Sequence, residues 1–352
     1  HCYIGHASDS NIRYNSTSGG LVTALLIFAI EEGIIDGALV TKMDDAHPLE
    51  PKVFIARTKD EIVSASKSKY CPVPANIALK DILKENGRFA TVGLPCHIHG
   101  IRKAEIINKK LAEKIVLHIG LFCHNTPTFS ATAYLLQKMN SKKDDVKKID
   151  YRGEGWPGGM SVISANGQKS FVGTQNPFYW GHVFKSYFIP TRCILCSDKT
   201  CELSDLSFGD AWLLSNSKMG ESIVVSRSRI GEELLEKAAL KKEIEIKKVS
   251  RKETLESSGV DLVKRQHKAR TLVFKKLGKR VPVYNQEILE SKTSDYVEAL
   301  LLYLKMYVSS KRHLWNLIDI YPSLVTRIKG LHNMHVHAAR SPVYWQRQQE
   351  NL

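Results

Sequence analysis

The sequence predicts an α/β fold with a largely parallel sheet flanked by helices, a β-hairpin and cysteine-rich insertion, and a basic helical C-terminal extension. In the first two thirds, short β-rich runs alternate with amphipathic helical stretches, which is typical of a parallel sheet. Two apolar runs, 89–94 and 115–122, have the near-continuous hydrophobicity of strands buried on both faces. Past residue 251 the chain is basic and its apolar residues follow helical spacing.

We divide the chain into regions 1–86, 87–250 and 251–352. In the first region the hydrophobic pattern predicts a helix over 21–32, strands over 37–42 and 53–57, and helices over 59–66 and 76–85. Gly87 is expected to end the last of these helices, because glycine favours the conformation found just past a helix terminus.

The second region contains the two apolar strands and, from residue 147 onward, a different pattern. Residues 160–165 and 169–172 flank Asn166-Gly167, which supplies the positive φ angles of a tight turn, and therefore predict a hairpin. A dense cysteine segment follows at 193–201. A strand at 223–226, a helix at 231–239 and a strand at 244–249 complete the region.

Composition and charge limit the class of protein. The chain has 352 residues, 43% hydrophobic and 25% charged, as in an ordinary globular protein. No apolar run approaches the roughly 20 residues of a membrane span, and no signal-peptide pattern occurs, so we expect a cytoplasmic location. The formal charge of +15 is concentrated in the last third. That charge favours nucleic acid, an anionic membrane face, a polyanionic cofactor or an acidic protein as partner, or it forms a solvated basic surface.

Seven cysteines without secretory features favour metal or redox chemistry over a disulfide framework. Cys193 and Cys196 form a C-x-x-C pair, which fits zinc, an iron-sulfur cluster or a redox dithiol. Cys96 and Cys123 each follow one apolar strand, so both are expected at the carboxyl edge of the sheet, where ligands bind. Zinc held by four cysteines usually takes two C-x-x-C knuckles. Ligands that come singly from strand ends favour a cluster instead.

The other cysteines are expected to have different roles. Cys2 and Cys71 are interpreted as inert buried thiols, which are common in protein cores. Cys201 lies five residues beyond Cys196 and is close enough in sequence to serve as an alternative ligand.

Two further segments have features of a cofactor site. The small residues Ser16, Thr17, Ser18, Gly19 and Gly20 precede a predicted helix, whose N-terminus can bind a phosphate or form an ordinary helix cap. Lys69 and Tyr70 offer a cation and an aromatic face that suit a flavin ring, or they lie in an exposed loop. The usual G-x-G-x-x-G dinucleotide fingerprint is absent from the sequence.

Seven motifs follow one another over residues 3–250: Ile12-Arg13, Ser16-Thr17-Ser18-Gly19-Gly20, Ser68-Lys69-Tyr70, Gly93-Leu94-Pro95-Cys96, Gly120-Leu121-Phe122-Cys123, Cys193-Ile194-Leu195-Cys196-Ser197-Asp198 and Ser204-Asp205-Leu206-Ser207-Phe208-Gly209-Asp210. In this order they resemble the beta subunit of F420-reducing hydrogenase and its relatives, the coenzyme F420 hydrogenase/dehydrogenase beta-subunit family. The resemblance implies a 4Fe-4S cluster held by Cys96, Cys123, Cys193 and Cys196. It also implies FAD bound by Arg13, Ser16, Thr17, Ser18, Gly19, Gly20, Ser68, Lys69, Tyr70 and Pro95.

The function expected from this resemblance is that of an iron-sulfur flavoprotein oxidoreductase. A deazaflavin donor or acceptor such as coenzyme F420 would exchange a hydride with FAD, and the cluster would pass single electrons to a ferredoxin or partner subunit. Arg13, Lys69 and Arg152 could attract the acidic tail of such a small-molecule donor. The region after Arg251 is expected to bind an acidic partner or membrane face and to take no part in cofactor chemistry.

Two alternatives belong to other classes. One is a zinc-stabilised nucleic-acid-binding protein, which the basic last third and the C-x-x-C pair favour. The sequence lacks the clustered knuckles and aromatic platforms of the common modules, so no nucleic-acid partner is expected. The other is a non-catalytic electron-transfer subunit of a polysaccharide-associated system.

Overall fold

The computed structural model describes residues 1–174, 176, 179, 183, 186–283 and 289–318. Within these residues the chain forms an eight-stranded sheet of order β11-β1-β10-β9-β5-β4-β2-β3 and a three-stranded sheet of order β6-β7-β8. The strands are β1 (Cys2–Ala7), β2 (Gly37–Met43), β3 (Pro51–Ala56), β4 (Phe89–Gly93), β5 (Ile115–Leu121), β6 (Val146–Gly153), β7 (Gly159–Ser164), β8 (Lys169–Gly173), β9 (Leu206–Asp210), β10 (Ser222–Ser226) and β11 (Ile244–Lys248).

Helices cover both faces of the large sheet and extend beyond it. They are α1 (Ser10–Tyr14), α2 (Leu21–Glu31), α3 (Lys59–Ser64), α4 (Leu79–Lys84), α5 (Pro95–Ile107), α6 (Lys109–Lys114), α7 (Phe129–Lys138), α8 (Thr191–Ile194), α9 (Arg229–Leu240), α10 (Arg251–Ser258), α11 (Val260–Lys276) and α12 (Thr293–Ser310). None of the helices in the described ranges is long and apolar enough to cross a membrane.

The centre of the large sheet is parallel. Strands β2, β4, β5 and β9 run in the same direction, with Gly93 opposite Gly120 and Leu121 opposite Phe208, whereas the outer strands pair antiparallel. The α/β class predicted from the sequence is therefore confirmed. The parallel strands end at one edge of the sheet, which is where ligands bind in open α/β sheets.

Two hydrophobic cores hold helices on opposite faces of this sheet. On one face α2 is apolar almost all round, and Leu25 and Phe28 pack with Leu234 of α9. On the other face Ile82 of α4 and Ile98 of α5 pack against the sheet. Each of these side chains is at most 3% exposed, so the central strands are covered on both sides as their sequences predict.

The small sheet is antiparallel and packs with α7. Its β7–β8 hairpin turns at Asn166-Gly167, where Gly167 has a φ of +83°. The predicted hairpin is therefore present. Tyr134 of α7 and Tyr151 of β6 lie in the same core, and the Tyr151 hydroxyl is 2.7 Å from the hydroxyl of Thr132.

The C-terminal helices are joined to the cysteine-rich segment by a core of their own. Phe274 of α11 and Leu302 of α12 are buried against Ile189, Ile194 and Leu195. The region after Arg251 therefore packs against the cysteine-rich segment, and its expected role in binding an acidic partner or membrane face stays a prediction. The predicted extension beyond residue 318 lies outside the described residues.

Several element boundaries differ from the sequence prediction. The helix expected at 76–85 is divided into a 3-10 turn, Ala75–Ala78, and α4, Leu79–Lys84. Strands β1, β6 and β9 were not predicted as strands. Strand β1 lies between β10 and β11 and pairs with both, and pairing between segments so far apart in sequence cannot be predicted from a local pattern.

Candidate functional site

The candidate site lies at the carboxyl edge of the large sheet. Pro95 and Cys96 begin α5 directly after β4, Cys123 follows β5 and Asp210 ends β9. Because β4, β5 and β9 are adjacent and parallel, their ends bring these residues to one side of the molecule. Pro95 occupies the first helical turn, where its missing N–H costs no hydrogen bond.

Cys96, Cys123, Cys193 and Cys196, here called the thiol group, influence one another electrostatically. Burial raises the pKa of Cys123 well above its usual value, and Cys193, Cys96 and Cys196 raise it further. Burial likewise raises the pKa of Cys196 to about 11, with contributions from Cys96 and Cys193. Three separate chain segments therefore bring four thiols close enough to affect one another's pKa.

The backbone around the thiol group is held by hydrogen bonds. The Cys123 N–H donates to the Lys199 carbonyl at 2.9 Å, and the Cys193 thiol lies 3.8 Å from the Thr126 carbonyl. Gly209 allows the Phe122 ring to approach closely, since a Cβ added there would lie 2.2 Å from the ring. The loop after β5 is thus tied to the cysteine segment on one side and to β9 on the other.

Two cations border the thiol group. Arg192 opposes the rise in the pKa of Cys96 and Cys193 that burial causes, and the charge of Lys199 interacts with Cys123. Across the described residues, no three His, Cys, Asp or Glu side chains gather closely enough to hold a metal ion.

The remaining cysteines occupy different places. Cys201 is fully buried against Gly120, where an added Cβ would lie 2.5 Å from its sulfur, and burial together with Asp198 raises its pKa to about 12. Cys2 lies at the amino end of β1, far along the strand from the site edge. Cys71 is buried in the core beside the small sheet.

Asp198 lies near Cys196 of the thiol group, and a second group of buried polar side chains surrounds His118. His99 Nε2 lies 3.0 Å from the buried Asp198 carboxylate. His118 lies between Glu105 at 2.6 Å and Asp205 at 3.1 Å, and we call these three residues the His118 triad. Burial by itself lowers the pKa of His118, but the bonds to both carboxylates outweigh it and raise the pKa overall.

The segment Ser16–Gly20 joins α1 to α2 and packs tightly. Ser16 Oγ donates to the Ile12 carbonyl at 2.7 Å, and the Ser18 and Ser222 hydroxyls lie 2.8 Å apart. Gly20 adopts a φ of +77°, and a Cβ on Gly19 would lie 2.4 Å from the Gly5 carbonyl oxygen. Two of the hydroxyls therefore fix the loop, while the backbone N–H groups of the first turn of α2 have no partner within the helix.

The segment Ser68–Tyr70 lies beside this loop. Ser68 Oγ is 3.3 Å from Thr17 Oγ1, and Tyr70 packs edge-to-face on Tyr151. Lys69 Nζ donates to the carbonyls of Ala65, Ser66 and Lys67 at 2.5, 2.7 and 2.9 Å, and burial lowers its pKa to about 7.

Arg13 and Arg152 are also engaged by the protein. The Arg13 guanidinium donates to the Gly220 carbonyl at 2.8 Å and holds the loop that follows β9. Arg152 Nη1 lies 2.5 Å from Asp210 Oδ2 and 3.4 Å from the Tyr70 hydroxyl. Asp210 and Tyr70 together raise the pKa of Arg152 against the effect of its burial, so this residue is a buried cation.

A cavity of about 670 Å³ opens beside these segments. We call it the lysine cavity, because its lining includes Lys42, Lys67, Lys69, Lys147 and Lys148, beside the acidic Asp44, Asp45 and Asp150. Lys67 is paired with Asp150 at 2.8 Å, whereas Lys147 and Lys148 are exposed. Sequence reasoning missed this cavity, because its lysines come from three distant segments.

Clustered thiols at the carboxyl edge of an α/β sheet are typical of redox and metal-binding proteins. Residues 2–80 match the N-terminal model, and residues 86–252 the C-terminal model, of the coenzyme F420 hydrogenase/dehydrogenase beta subunit. The chain belongs to this family of oxidoreductase subunits, which confirms the family predicted from the motifs.

Two relatives illustrate the match. The chain is 31% identical over 218 residues to the coenzyme F420 hydrogenase subunit beta of Methanothermobacter thermautotrophicus, covering 58% of this chain and 72% of the relative. A similar subunit of Methanosarcina barkeri is 29% identical over 223 residues, covering 60% of this chain and 72% of the relative. A chain from the structure of the F420-reducing [NiFe] hydrogenase complex of Methanosarcina barkeri superposes with a TM-score of 0.60 at 23% identity, covering 80% of this chain and 94% of that chain. This last likeness shows a shared fold.

Proposed function

We propose that this protein is an electron-transferring subunit that holds FAD and a 4Fe-4S cluster and exchanges electrons with a deazaflavin of the coenzyme F420 type. Its electrons would pass to or from a partner subunit or a ferredoxin. The observation that carries the proposal is the thiol group, four coupled cysteines from three segments at the carboxyl edge of the sheet. The family membership of the chain and the names of its relatives support the same chemistry.

The donor set favours a cluster over a single zinc ion, because Cys96 and Cys123 come singly after β4 and β5 and not from a second C-x-x-C knuckle. Zinc draws four thiolates to about 3.8 Å from one another, given tetrahedral geometry and Zn–S bonds of about 2.3 Å. A cubane cluster binds each thiolate to a different iron atom, so its ligands are more widely spaced. The thiols of the group influence one another electrostatically, and Arg192 and Lys199 would offset the negative charge of bound thiolates.

The fit to a flavin rests on the loop before α2 and the segment Ser68–Tyr70. The first-turn N–H groups of α2 can receive a pyrophosphate, and Gly19 and Gly20 let the backbone pass where a side chain would not fit. The Thr17–Ser68 contact holds the two segments together. A bound flavin would supply two-electron exchange with the donor and one-electron exchange with the cluster.

The lysine cavity supports an acidic donor. Its volume of about 670 Å³ lies within the range of small-molecule sites. Lys147 and Lys148 are exposed at its lining and can attract an anionic chain, whereas Arg13, Lys69 and Arg152 are engaged by the protein. We therefore assign attraction of the donor to the exposed lysines and a supporting role to the three engaged cations.

The test is cofactor analysis on protein purified without air. We expect one FAD, four irons and four sulfides per chain, in keeping with the stoichiometry of one flavin and one cubane cluster. Zinc in place of iron, FMN, or protein without flavin would refute the proposal. An iron-free, zinc-loaded protein would favour the zinc-stabilised alternative instead.

Serine variants assign the ligands. Replacing Cys96, Cys123, Cys193 or Cys196 by serine should remove or degrade the cluster, because serine is a harder ligand than thiolate. Cys71→Ser is the matched control, since Cys71 is buried in a different core. Electron paramagnetic resonance of reduced protein decides the fourth ligand: a signal kept in Cys123→Ser but lost in Cys201→Ser would show that Cys201 holds the cluster.

A further inference from the structure

One side of α12 presents a row of large apolar side chains to solvent. Their spacing of three and four residues places them beside one another on the helix. Each is 46–57% exposed, and we call the set the α12 face: Val297, Leu300, Leu301, Leu304 and Tyr307. Single exposed apolar residues are ordinary on a protein surface, whereas a contiguous group of them marks an interaction surface.

The opposite side of α12 is occupied by the protein itself. Leu302 is buried in a core with Phe274 of α11. Glu298 accepts a hydrogen bond from Gln266 of α11 at 2.6 Å, so its carboxylate is engaged by the neighbouring helix. The helix therefore packs on α11 with one side and leaves a second apolar side exposed, which is more apolar surface than its packing on α11 uses.

Cations border the α12 face. The Lys279 ammonium lies 5.8 Å from the Tyr303 ring, on one flank of the helix. Lys305 is two residues further along and projects about 200° around the helix from Tyr303, on the other flank. Lys311 follows the last residue of α12 and is exposed. The α12 face, with Leu304 between the two flanks, therefore has a cation on each side and a third at one end.

We infer that the α12 face binds an anionic membrane surface, with its apolar side chains in the interfacial region and the bordering cations on lipid phosphates. A helix with one apolar face and flanking lysines lies in the plane of such an interface. Tyrosine favours the same depth, because its ring is apolar and its hydroxyl is polar. The inference goes beyond the proposed function, since α12 lies past residue 252, where the match to the family ends.

The shape and charge of the α12 face favour lipid over a protein partner. Its residues belong to one helix, so they form a ridge, whereas a partner helix usually binds in a groove. Pairing of two α12 faces would bring the cations of one copy towards those of the other, and like charges at an interface are unfavourable. A lipid surface has mobile anionic headgroups that can reach cations on both flanks.

Vesicle sedimentation tests the inference on the full chain purified without air. The probes are vesicles of phosphatidylcholine alone and vesicles of phosphatidylcholine and phosphatidylglycerol in equal amounts. We expect binding to the mixed vesicles and at least about ten-fold weaker binding to phosphatidylcholine alone. Binding to the mixed vesicles should weaken as salt is raised, because salt screens exposed charges.

Substitutions separate the apolar and the cationic contributions. Leu300→Ser/Leu304→Ser should weaken binding to the mixed vesicles about ten-fold or more, because two side chains no longer enter the lipid. Leu240→Ser is the matched control: Leu240 ends α9, is 85% exposed, and its substitution should leave binding unchanged. Lys279→Gln/Lys311→Gln should weaken binding about ten-fold, and the remaining binding should depend less on salt.

Several results would overturn the inference. One is absence of binding to the mixed vesicles, and another is equal binding by Leu300→Ser/Leu304→Ser and the wild type. A wild-type dimer in light scattering that the leucine variant converts to a monomer would assign the α12 face to a second copy of the chain. A clearly lower urea midpoint of that variant would show that the chain itself covers the face, because replacing exposed residues costs little stability. None of these measurements depends on cofactor content, so loss of the proposed function would leave the inference standing.

Discussion

Replacing Phe274 by alanine tests whether the C-terminal helices hold the cysteine segment. Phe274 is fully buried, packs edge-to-face on Tyr303 with centroids 5.6 Å apart, and shares a core with Ile194, which lies between the two cysteines of the C-x-x-C pair. Truncating a buried phenylalanine costs about 3–5 kcal/mol, because transfer free energy is lost and a cavity remains. The aromatic pair accounts for about 0.5–1.5 kcal/mol beyond area burial.

The expected outcome has two parts. The free energy of unfolding, from urea denaturation followed by circular dichroism, should fall by about 4 kcal/mol. Iron bound after anaerobic purification should fall with it, because Cys193 belongs to the same packed unit. Leu272→Ala on the same helix is the matched control, since Leu272 is 42% exposed and its truncation should cost less than about 1 kcal/mol.

Either half of this reasoning can fail on its own. If Phe274→Ala were no more destabilising than Leu272→Ala, the helices would not be packed as the structure shows. If stability fell by the full amount and iron were retained, α11 would stabilise the chain without supporting the cysteines.

Three other substitutions probe the interior of the site. His118→Gln should remove a pH dependence of stability. The raised pKa of His118 stabilises the folded protein below the unfolded pKa of about 6.5, and this stabilisation is lost as pH rises through the folded pKa. The urea midpoints of the variant at pH 5.5 and pH 8 should therefore lie closer together than those of the wild type. Lys69→Met should remove a pH dependence of the opposite sign. Because the pKa of Lys69 is lowered to about 7, the free energy of unfolding of the wild type should increase between pH 7 and 10.5, by up to about 1.4 kcal/mol per pH unit. Parallel plots of stability against pH for the variant and the wild type would contradict this. Gly120→Ala should cost about 1–3 kcal/mol, since its Cβ would lie 2.5 Å from the Cys201 sulfur, and unchanged stability would show that the buried thiol can move aside.

The sequence alone was sufficient to predict elements that depend on neighbouring residues. The apolar runs of β4 and β5 are buried on both faces in any parallel sheet, so their sequences predicted both their burial and the delivery of Cys96 and Cys123 to one edge. The Asn166-Gly167 turn was likewise evident, because few other residues accept its backbone angles. The ordered motifs were enough to predict the family.

Only tertiary structure decided what depends on contacts between distant segments. Strand β1 is held by neighbours more than 200 residues away, and the lysine cavity collects residues from three segments, so neither leaves a periodic signal. The basic helices looked like a separate appendage because charge dominates their composition. A single buried face, centred on Phe274 and Leu302, joins them to the cysteine segment. Burial of such a face depends on which surface it meets, and the sequence of one helix does not contain that information.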